Sequence, residues 1–264
     1  MSYRKLVFLF ITLIILSGAI GHSDAWAANE QEAAQPANAV VSGPKSFDVQ
    51  NSETMLIIFI TPPGIVKDMV PAPLVPSPYN IMYVAVSRGP METDHYHTME
   101  LGVLVIFKGK MFTYPVYSVV DNKPMSDRGR MITGSPTRIG QITLEKKDKN
   151  LTASVQREGK ILFKATMVLG EPGEPLDNSP IVSLKIVPAT QKDAPPEVKQ
   201  LISAKFENVK VHELIDGETT MEFDQSLTDG FPKVSVQQVF RGVYRKADFT
   251  ITGTGILHDY LKAN

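Results

Sequence analysis

The chain has 264 residues, and its 27 lysines and arginines nearly balance its 28 aspartates and glutamates, which leaves a formal net charge of −1. This balance gives no electrostatic basis for binding nucleic acid or an anionic membrane surface. The sequence contains no cysteine, which excludes disulfides, thiolate metal sites and cysteine nucleophiles. The length suits one large domain or two small ones and is enough to bury a substantial core.

The N-terminal residues are typical of an export signal. A short basic start precedes the apolar run LVFLFITLIILSGAI (6–20), and AWA (25–27) places small residues where a signal peptidase requires them. We expect residues 1–27 to be a signal peptide, so that the mature protein is periplasmic or secreted and has no stable membrane insertion. The alternative is an uncleaved anchor, for which the run is short, because a bilayer-spanning helix needs about 20 residues.

The rest of the chain predicts a mainly β domain. Residues 28–44 lack apolar periodicity and are expected to be a flexible lead-in. From Phe47 onward, β-branched and aromatic runs bounded by Pro, Gly or charge predict strands at 53–61, 79–88, 100–109, 111–120, 139–147, 152–169, 181–188, 201–215, 219–224 and 234–257. REGK (157–160) predicts a hairpin turn, and 61–71 a short helix. We expect residues 45–264 to form a single barrel or sandwich with a few short helices.

Motifs for several familiar catalytic sites are absent: there is no Walker-type loop, no Gly-x-Ser-x-Gly elbow and no Rossmann glycine fingerprint. One metal-binding spacing occurs, His95-x-His97-x-x-Glu100. Because strand side chains alternate, both histidines share one face and Glu100 points to the other. Two histidines without a placed carboxylate complete no ligand set. We therefore expect neither a metal nor another cofactor.

The segment DNKPMSDRGRMITGSPTR (121–138) resembles the active-site segment of the acetoacetate decarboxylase family, in which Asp-Asn-x-Pro leads to Gly-Arg-Glu and then to Pro-Lys-Lys. The residues that match without a gap are Asp121, Asn122, Pro124, Gly129, Arg130 and Pro136. VPAPL (70–74) resembles the family's Val-Pro-x-x-Leu after its first helix, and three segments resemble the later family strands in order and spacing: SLKIVP (183–188), LISAKFENVKVHE (201–213) and ILHDYLK (256–262). The resemblance implies a closed, mostly antiparallel β-barrel or cone with an apolar cavity, assembled into homo-oligomers.

The resemblance also implies a mechanism for which this chain lacks the key group. Family members decarboxylate β-keto acids through an imine formed by the first lysine after the proline, which requires a neutral amine. Here that position is Thr137, and the neighbouring lysine position is Arg138. A hydroxyl cannot form an imine, and a guanidinium stays protonated. Imine chemistry therefore fails at its first step.

Other charged positions of the family are also replaced. The active-site arginine falls on Ser52, one glutamate on Tyr83 and a second glutamate on Thr98. Glu100 lies two residues after Thr98 on the same strand face, so a small register slip would let it substitute. Glu100 would serve as a general base only if burial raises its pKa.

These replacements favour a binding protein over an enzyme. A cavity lined by residues such as Phe59 and Met82 would hold a small, largely apolar ligand. Thr137 and Tyr83 would supply hydroxyl hydrogen bonds there. Arg130 is the candidate for a bidentate contact with a ligand carboxylate, and its alternative role is to tie the loop to backbone carbonyls.

Two other functions remain open. The first is a lyase acting on acetoacetate or another β-keto acid through a relocated lysine or through Glu100. Lys233 in GFPK (230–233) imitates the reactive loop, whereas Lys108, Lys110 and Lys123 flank turns where a solvated lysine keeps its charge. The second is a purely structural role in the cell envelope.

Overall fold

Strands make up most of the structure, a computed structural model that describes residues 46–262 apart from 92–93, 136, 188–195 and 225–230. The strands are β1 (Ser46–Ile60), β2 (Val75–Pro76), β3 (Ile81–Met91), β4 (Asp94–Phe107), β5 (Lys110–Val120), β6 (Thr137–Ile139), β7 (Gln141–Lys147), β8 (Asn150–Arg157), β9 (Lys160–Pro172), β10 (Ile181–Val187), β11 (Val198–Phe223) and β12 (Gln238–Asp259). The mainly β class is confirmed. The expected signal peptide and lead-in lie outside the described residues.

The strands belong to one sheet with the order β10-β5-β4-β3-β1-β12-β11-β9-β8-β7, and β2 and β6 pair with β4 and β5. Strand β10 pairs with β11 as well as with β5. The pairings therefore run from β5 through β4, β3, β1, β12 and β11 to β10, and from β10 back to β5. The pairings are antiparallel except β10 with β5 and β5 with β6, which are parallel. The remaining strands, β9 to β7, extend this path, and β7 folds back into contact with β3, β4 and β5.

On β1, β3 and β4, one strand face is fully buried and the other is mostly half-buried. On one face, alternate residues such as Ile57, Val84 and Leu101 are fully buried and join the core cluster with Leu151 and Phe163 of β8 and β9. The residues between them point to the opposite face, where the sheet borders a cavity. The core and the cavity therefore lie on opposite sides of the same strands.

Helical structure differs from expectation in two places. Residues 61–71 contain only a 3-10 turn, Lys67–Met69. The glycines and proline of 129–138 predict a loop, but its first residues belong to helix α1 (Lys123–Ile132). Asn122 caps this helix by accepting a hydrogen bond from the Met125 backbone N–H at 2.9 Å, and a proline follows at the start of the helix, where it needs no hydrogen-bond partner.

The strand predictions hold with shifts at their ends. The residues expected to form strands at 201–215 and 219–224 form one long strand, β11, whose pairing with β12 contains several register shifts. The expected turn at REGK separates β8 from β9. Within the described ranges, no helix has the length and apolarity needed to cross a bilayer.

Candidate functional site

The cavity has a volume of about 180 Å³ and lies between the non-core face of the sheet and helix α1 with strand β6. Residues of β1, β3, β4, β5 and β12 line the sheet side. Met125, Gly129 and Thr133 line the helix side at intervals of four residues, which places them on one helix face. The segment that resembles the family's active-site loop therefore forms one wall of the cavity.

One end of the cavity is lined by buried hydroxyl groups. The Tyr96 hydroxyl donates to Ser52 Oγ at 2.9 Å, and Ser118 Oγ and Ser135 Oγ lie 3.0 Å apart. All four of these residues are buried. Because the hydroxyls pair with one another, this end is polar without carrying charge.

Another part of the cavity lining is apolar and only half-buried. Phe47, Phe206, Phe249 and Ile251 line it, and the rings of Phe206 and Phe249 meet edge to face with centroids 5.4 Å apart. These four residues are called the aromatic rim below. The cavity thus has a polar interior and an apolar rim, which suits a ligand with both kinds of surface.

Thr137 faces the cavity from β6, which runs parallel to β5 with Thr137 opposite Ser118. Its hydroxyl lies 2.6 Å from Ser126 Oγ on α1, and the absence of a side chain at Gly129 lets the helix approach Thr137 closely. Thr137 therefore opens onto the cavity, and it presents a hydroxyl that is already hydrogen-bonded.

Arg138, the next residue, is not among the residues that line the cavity. Strand alternation turns it to the other side, where its guanidinium carbon lies 4.2 Å from the ring centroid of Tyr117. Arg138 therefore does not place a second cation beside Thr137, which corrects its expected place in the site.

Glu100 and Tyr83 form a partly buried hydrogen-bonded pair at the cavity. Glu100 lines the cavity, and Tyr83 of the neighbouring strand donates its hydroxyl hydrogen to Glu100 Oε1 at 2.5 Å. The Tyr83 ring lies over Gly102, where a Cβ atom would come within 2.3 Å of the ring. Tyr83, expected to replace a family glutamate, and Glu100, expected to supply a substitute carboxylate, are thus in direct contact.

The surroundings of this pair favour the neutral form of both groups. Burial raises the pKa of the Glu100 carboxyl above its usual value, and the hydrogen bond from Tyr83 opposes part of the rise. Burial, followed by the neighbouring Glu100 charge, raises the pKa of the Tyr83 phenol well above its usual value. The structure therefore provides the raised pKa that a general base at Glu100 would need.

Glu100→Gln is expected to stabilise the protein at neutral pH. Because the folded-state pKa of Glu100 is raised, wild-type stability is lost as the pH rises from the usual carboxyl range through the raised value. The amide does not titrate, so the two proteins should differ little at about pH 4, and the variant should gain about 1.4 kcal/mol per unit of pKa elevation at about pH 7. Urea unfolding at both pH values measures the difference. A difference that does not change with pH would contradict the raised pKa.

Thr98 lines the cavity on the same strand face as Glu100, as expected. Arg130 is exposed and does not line the cavity; its Nη2 donates to the Thr137 backbone carbonyl at 2.9 Å. This contact matches the alternative role considered for Arg130, in which it ties the loop to a backbone carbonyl instead of contacting a ligand carboxylate.

Phe59 and Met82 are fully buried in the core cluster and do not line the cavity. Both lie on the core face of their strands, because Tyr83, next to Met82, points to the cavity side. The structure therefore places both residues in the core and not at this cavity.

The histidines of the His95-x-His97-x-x-Glu100 spacing do not join Glu100. The pairing of β3 with β4 is continuous from Met91 to Met82, so no bulge brings Glu100 to the histidine face. His97 Nδ1 instead lies 2.7 Å from Asp121 Oδ2, just before helix α1. Among the described residues, no group of three or more His, Asp or Glu side chains is placed to hold a metal ion.

Arg245 is the cavity residue that sequence reasoning missed. It lies on β12, where its Cα pairs with Thr54 of β1, two residues after Ser52. The family arginine position at Ser52 holds a hydroxyl, and the neighbouring strand brings a guanidinium to the same cavity. Only the long-range pairing of β1 with β12, almost 200 residues apart, brings the two positions together.

Lysine is not found among the cavity-lining residues of the described part of the chain. Lys233, Lys108 and Lys110 are exposed, and Lys123 is exposed and paired with Asp127 at 2.6 Å. The described structure therefore shows no relocated amine at the cavity.

Comparisons with known proteins agree with the sequence resemblance. Residues 32–261 match the family model described as "Acetoacetate decarboxylase (ADC)". Acetoacetate decarboxylase of Clostridium acetobutylicum is 26% identical over 230 residues, covering 83% of this chain and 91% of that protein. The "CLA biosynthesis isomerase" of Lactiplantibacillus plantarum is 28% identical over 133 residues, 48% of this chain and 47% of that protein.

The fold has a solved counterpart in the crystal structure of acetoacetate decarboxylase from Legionella pneumophila. The two structures superpose with a TM-score of 0.74 at 20% sequence identity, over 88% of this chain and 96% of that one. At this identity the likeness supports the fold, while the match across residues 32–261 covers most of the sequence. The chain therefore belongs to the acetoacetate decarboxylase family.

Proposed function

We propose that this protein is an exported family member that binds a small carboxylate or keto ligand with a largely apolar body and does not perform Schiff-base decarboxylation. The observation that carries the proposal is Thr137, which faces the cavity with a hydrogen-bonded hydroxyl and which the sequence resemblance aligns with the family lysine. A hydroxyl cannot condense with a ketone to an imine. The cavity can therefore hold a keto acid only through noncovalent contacts at this position.

The lining of the cavity supports a binding role. Its polar end offers paired hydroxyls and the Glu100–Tyr83 pair, and its aromatic rim offers apolar surface. Polar groups placed within an apolar enclosure are typical of small-molecule sites. The similar proteins include one named a decarboxylase and one named an isomerase, so family membership alone does not fix a reaction.

The proposed cellular location rests on the N-terminal sequence. The basic start, the apolar run and the small residues at 25–27 are typical of a cleaved export signal. We include a periplasmic or secreted location and assembly into a homo-oligomer in the proposal. Edman sequencing of the purified secreted protein, with a first residue of Ala28, would support cleavage after Ala27.

Thr137→Lys tests whether the missing lysine is the sole obstacle to decarboxylation. We expect no useful acetone release from acetoacetate, because the second cation at Arg138 is turned away from the cavity and the glutamate position at Tyr83 holds a phenol. The measurement is acetone formation by wild type and variant, with circular dichroism to confirm that both are folded. Robust turnover by the variant would show that the rest of the pocket is still competent, and turnover by wild type would contradict the proposal itself.

A second candidate function is enolisation of a keto acid by Glu100 as general base. The observation in its favour is the raised pKa of this cavity-facing carboxyl. Exchange of ligand α-protons with D₂O, followed by NMR, would support it if wild type catalyses the exchange and Glu100→Gln does not.

A further inference from the structure

We propose that Arg245 is the anion anchor of the cavity and that the ligand is a monocarboxylate with an unbranched apolar chain of about four to eight carbons. This inference rests on the proposed function, because it names the ligand class for the same cavity. It assigns the carboxylate contact to a residue of β12, not to Arg130 of the loop.

The contacts of Arg245 distinguish it from neighbouring arginines. Arg241 lies four residues before Arg245 on β12 and forms an ion pair with Asp216 at 2.7 Å. Arg88 on β3 forms an ion pair with Glu53 at 2.8 Å. Over the ranges that the structure describes, the protein contacts of Arg245 are with neutral groups. Its Nη1 donates to Asn178 Oδ1 at 3.0 Å, and its guanidinium carbon lies 5.8 Å from the Phe249 ring centroid.

The electrostatics of this position favour an anionic ligand. Burial lowers the pKa of Arg245, which means that the guanidinium gives up hydration at this site. A guanidinium binds a carboxylate through two parallel hydrogen bonds, and this pairing offsets desolvation better than a neutral amide oxygen does. The other ionisable groups facing the cavity are Glu100 and Tyr96, and the raised pKa of each favours its neutral form.

The number of cations limits the ligand to one negative charge. Among the cavity-lining residues that the structure describes, Arg245 is the sole arginine and no lysine accompanies it. A second carboxylate would lie against the paired hydroxyls and Glu100, where no cation offsets its desolvation. A dicarboxylate should therefore bind more weakly than a monocarboxylate of the same chain length.

The size and the rim of the cavity set the apolar part of the ligand. At about 30 Å³ per water-sized group, the volume of about 180 Å³ holds roughly six heavy atoms. Phe249 lies four residues after Arg245 on the same strand face, and Phe206 packs against it. A chain that starts at the guanidinium can therefore continue along the aromatic rim, which extends the usable length beyond the enclosed volume.

The test is calorimetric titration of the purified full-length protein with acetate, butyrate, hexanoate, succinate and hexanamide. We expect affinity to rise by about fourfold for each added methylene from acetate to hexanoate, and succinate and hexanamide to bind at least about tenfold more weakly than butyrate and hexanoate, respectively. Arg245→Gln should lose about tenfold or more in hexanoate affinity while its hexanamide affinity is unchanged. Arg241→Gln, a matched change on the same strand outside the cavity, should bind hexanoate as wild type does.

The outcomes separate this inference from the proposed function. Equal affinity of wild type for hexanoate and hexanamide would overturn the anchor even if Arg245→Gln failed to fold. Unchanged hexanoate binding by Arg245→Gln would also overturn it, and would leave the proposed binding function intact. Saturable binding of none of the five compounds would overturn the ligand class. Decarboxylation or a lysine adduct would overturn the proposed function without bearing on which arginine contacts the carboxylate.

Discussion

Phe59→Ala is expected to lower the free energy of unfolding by about 3–5 kcal/mol and to leave ligand affinity unchanged. Phe59 is fully buried in the core cluster, and its ring contacts Phe223 with centroids 6.0 Å apart. Removing the ring deletes apolar contacts and leaves a cavity between two packed layers of the sheet. Since Phe59 lies on the core face of β1, the ligand cavity on the other face should keep its shape.

Urea unfolding and hexanoate titration of the Phe59→Ala variant check this expectation. Phe249→Ala is the matched control, because Phe249 is a half-buried residue of the aromatic rim. The control should lose less stability than Phe59→Ala and more ligand affinity. A Phe59→Ala variant that kept its stability but lost hexanoate binding would show that Phe59 contacts the ligand and not the core.

Gly102→Ala is expected to lower the free energy of unfolding by about 2–3 kcal/mol and to disturb the Glu100–Tyr83 pair. A Cβ atom at Gly102 would lie 2.3 Å from the Tyr83 ring, well inside van der Waals contact. The ring would have to move away, and its hydroxyl would then lose Glu100. A buried carboxyl without its hydrogen-bond partner adds to the cost.

A double-mutant cycle with Tyr83→Ala isolates this contact. Once the ring is removed, Gly102→Ala should cost less than about 1 kcal/mol, so the coupling between the two positions should be at least about 1 kcal/mol. Urea unfolding of the four proteins gives the coupling. Equal costs of Gly102→Ala in both backgrounds would show that the ring does not fill the space over Gly102.

Local patterns in the sequence predict much of the fold. The β-branched runs predict strands because period-2 burial and β propensity act over a few residues. The REGK turn between β8 and β9 was predicted for the same reason, since hairpin turn chemistry is local. Helix α1 was not predicted, because the glycines and proline of 129–138 favour a loop, although Asn122 and Pro124 occupy the cap and first turn of the helix.

The site is harder to predict because both faces of the central strands are partly or fully buried. Apolarity alone cannot tell the core face from the cavity face, which is why Phe59 and Met82 were expected in the cavity. Alternation from a known cavity residue separates the two faces: Glu100 and Thr98 line the cavity from β4, and Ala85 and Ser87 line it opposite them from β3. Arg245 depends on the pairing of the first and last strands, for which the sequence carries no local signal.

The central claim is that no primary amine is available in the cavity to capture a carbonyl substrate. Borohydride reduction of the purified protein in the presence of acetoacetate, followed by intact mass measurement, tests it most directly. A family member with lysine after the proline serves as positive control. We expect the control to gain the mass of a reduced adduct and this protein to keep its unmodified mass, whereas a stable adduct mapped to any lysine of this chain would contradict the absence of a reactive amine in the cavity.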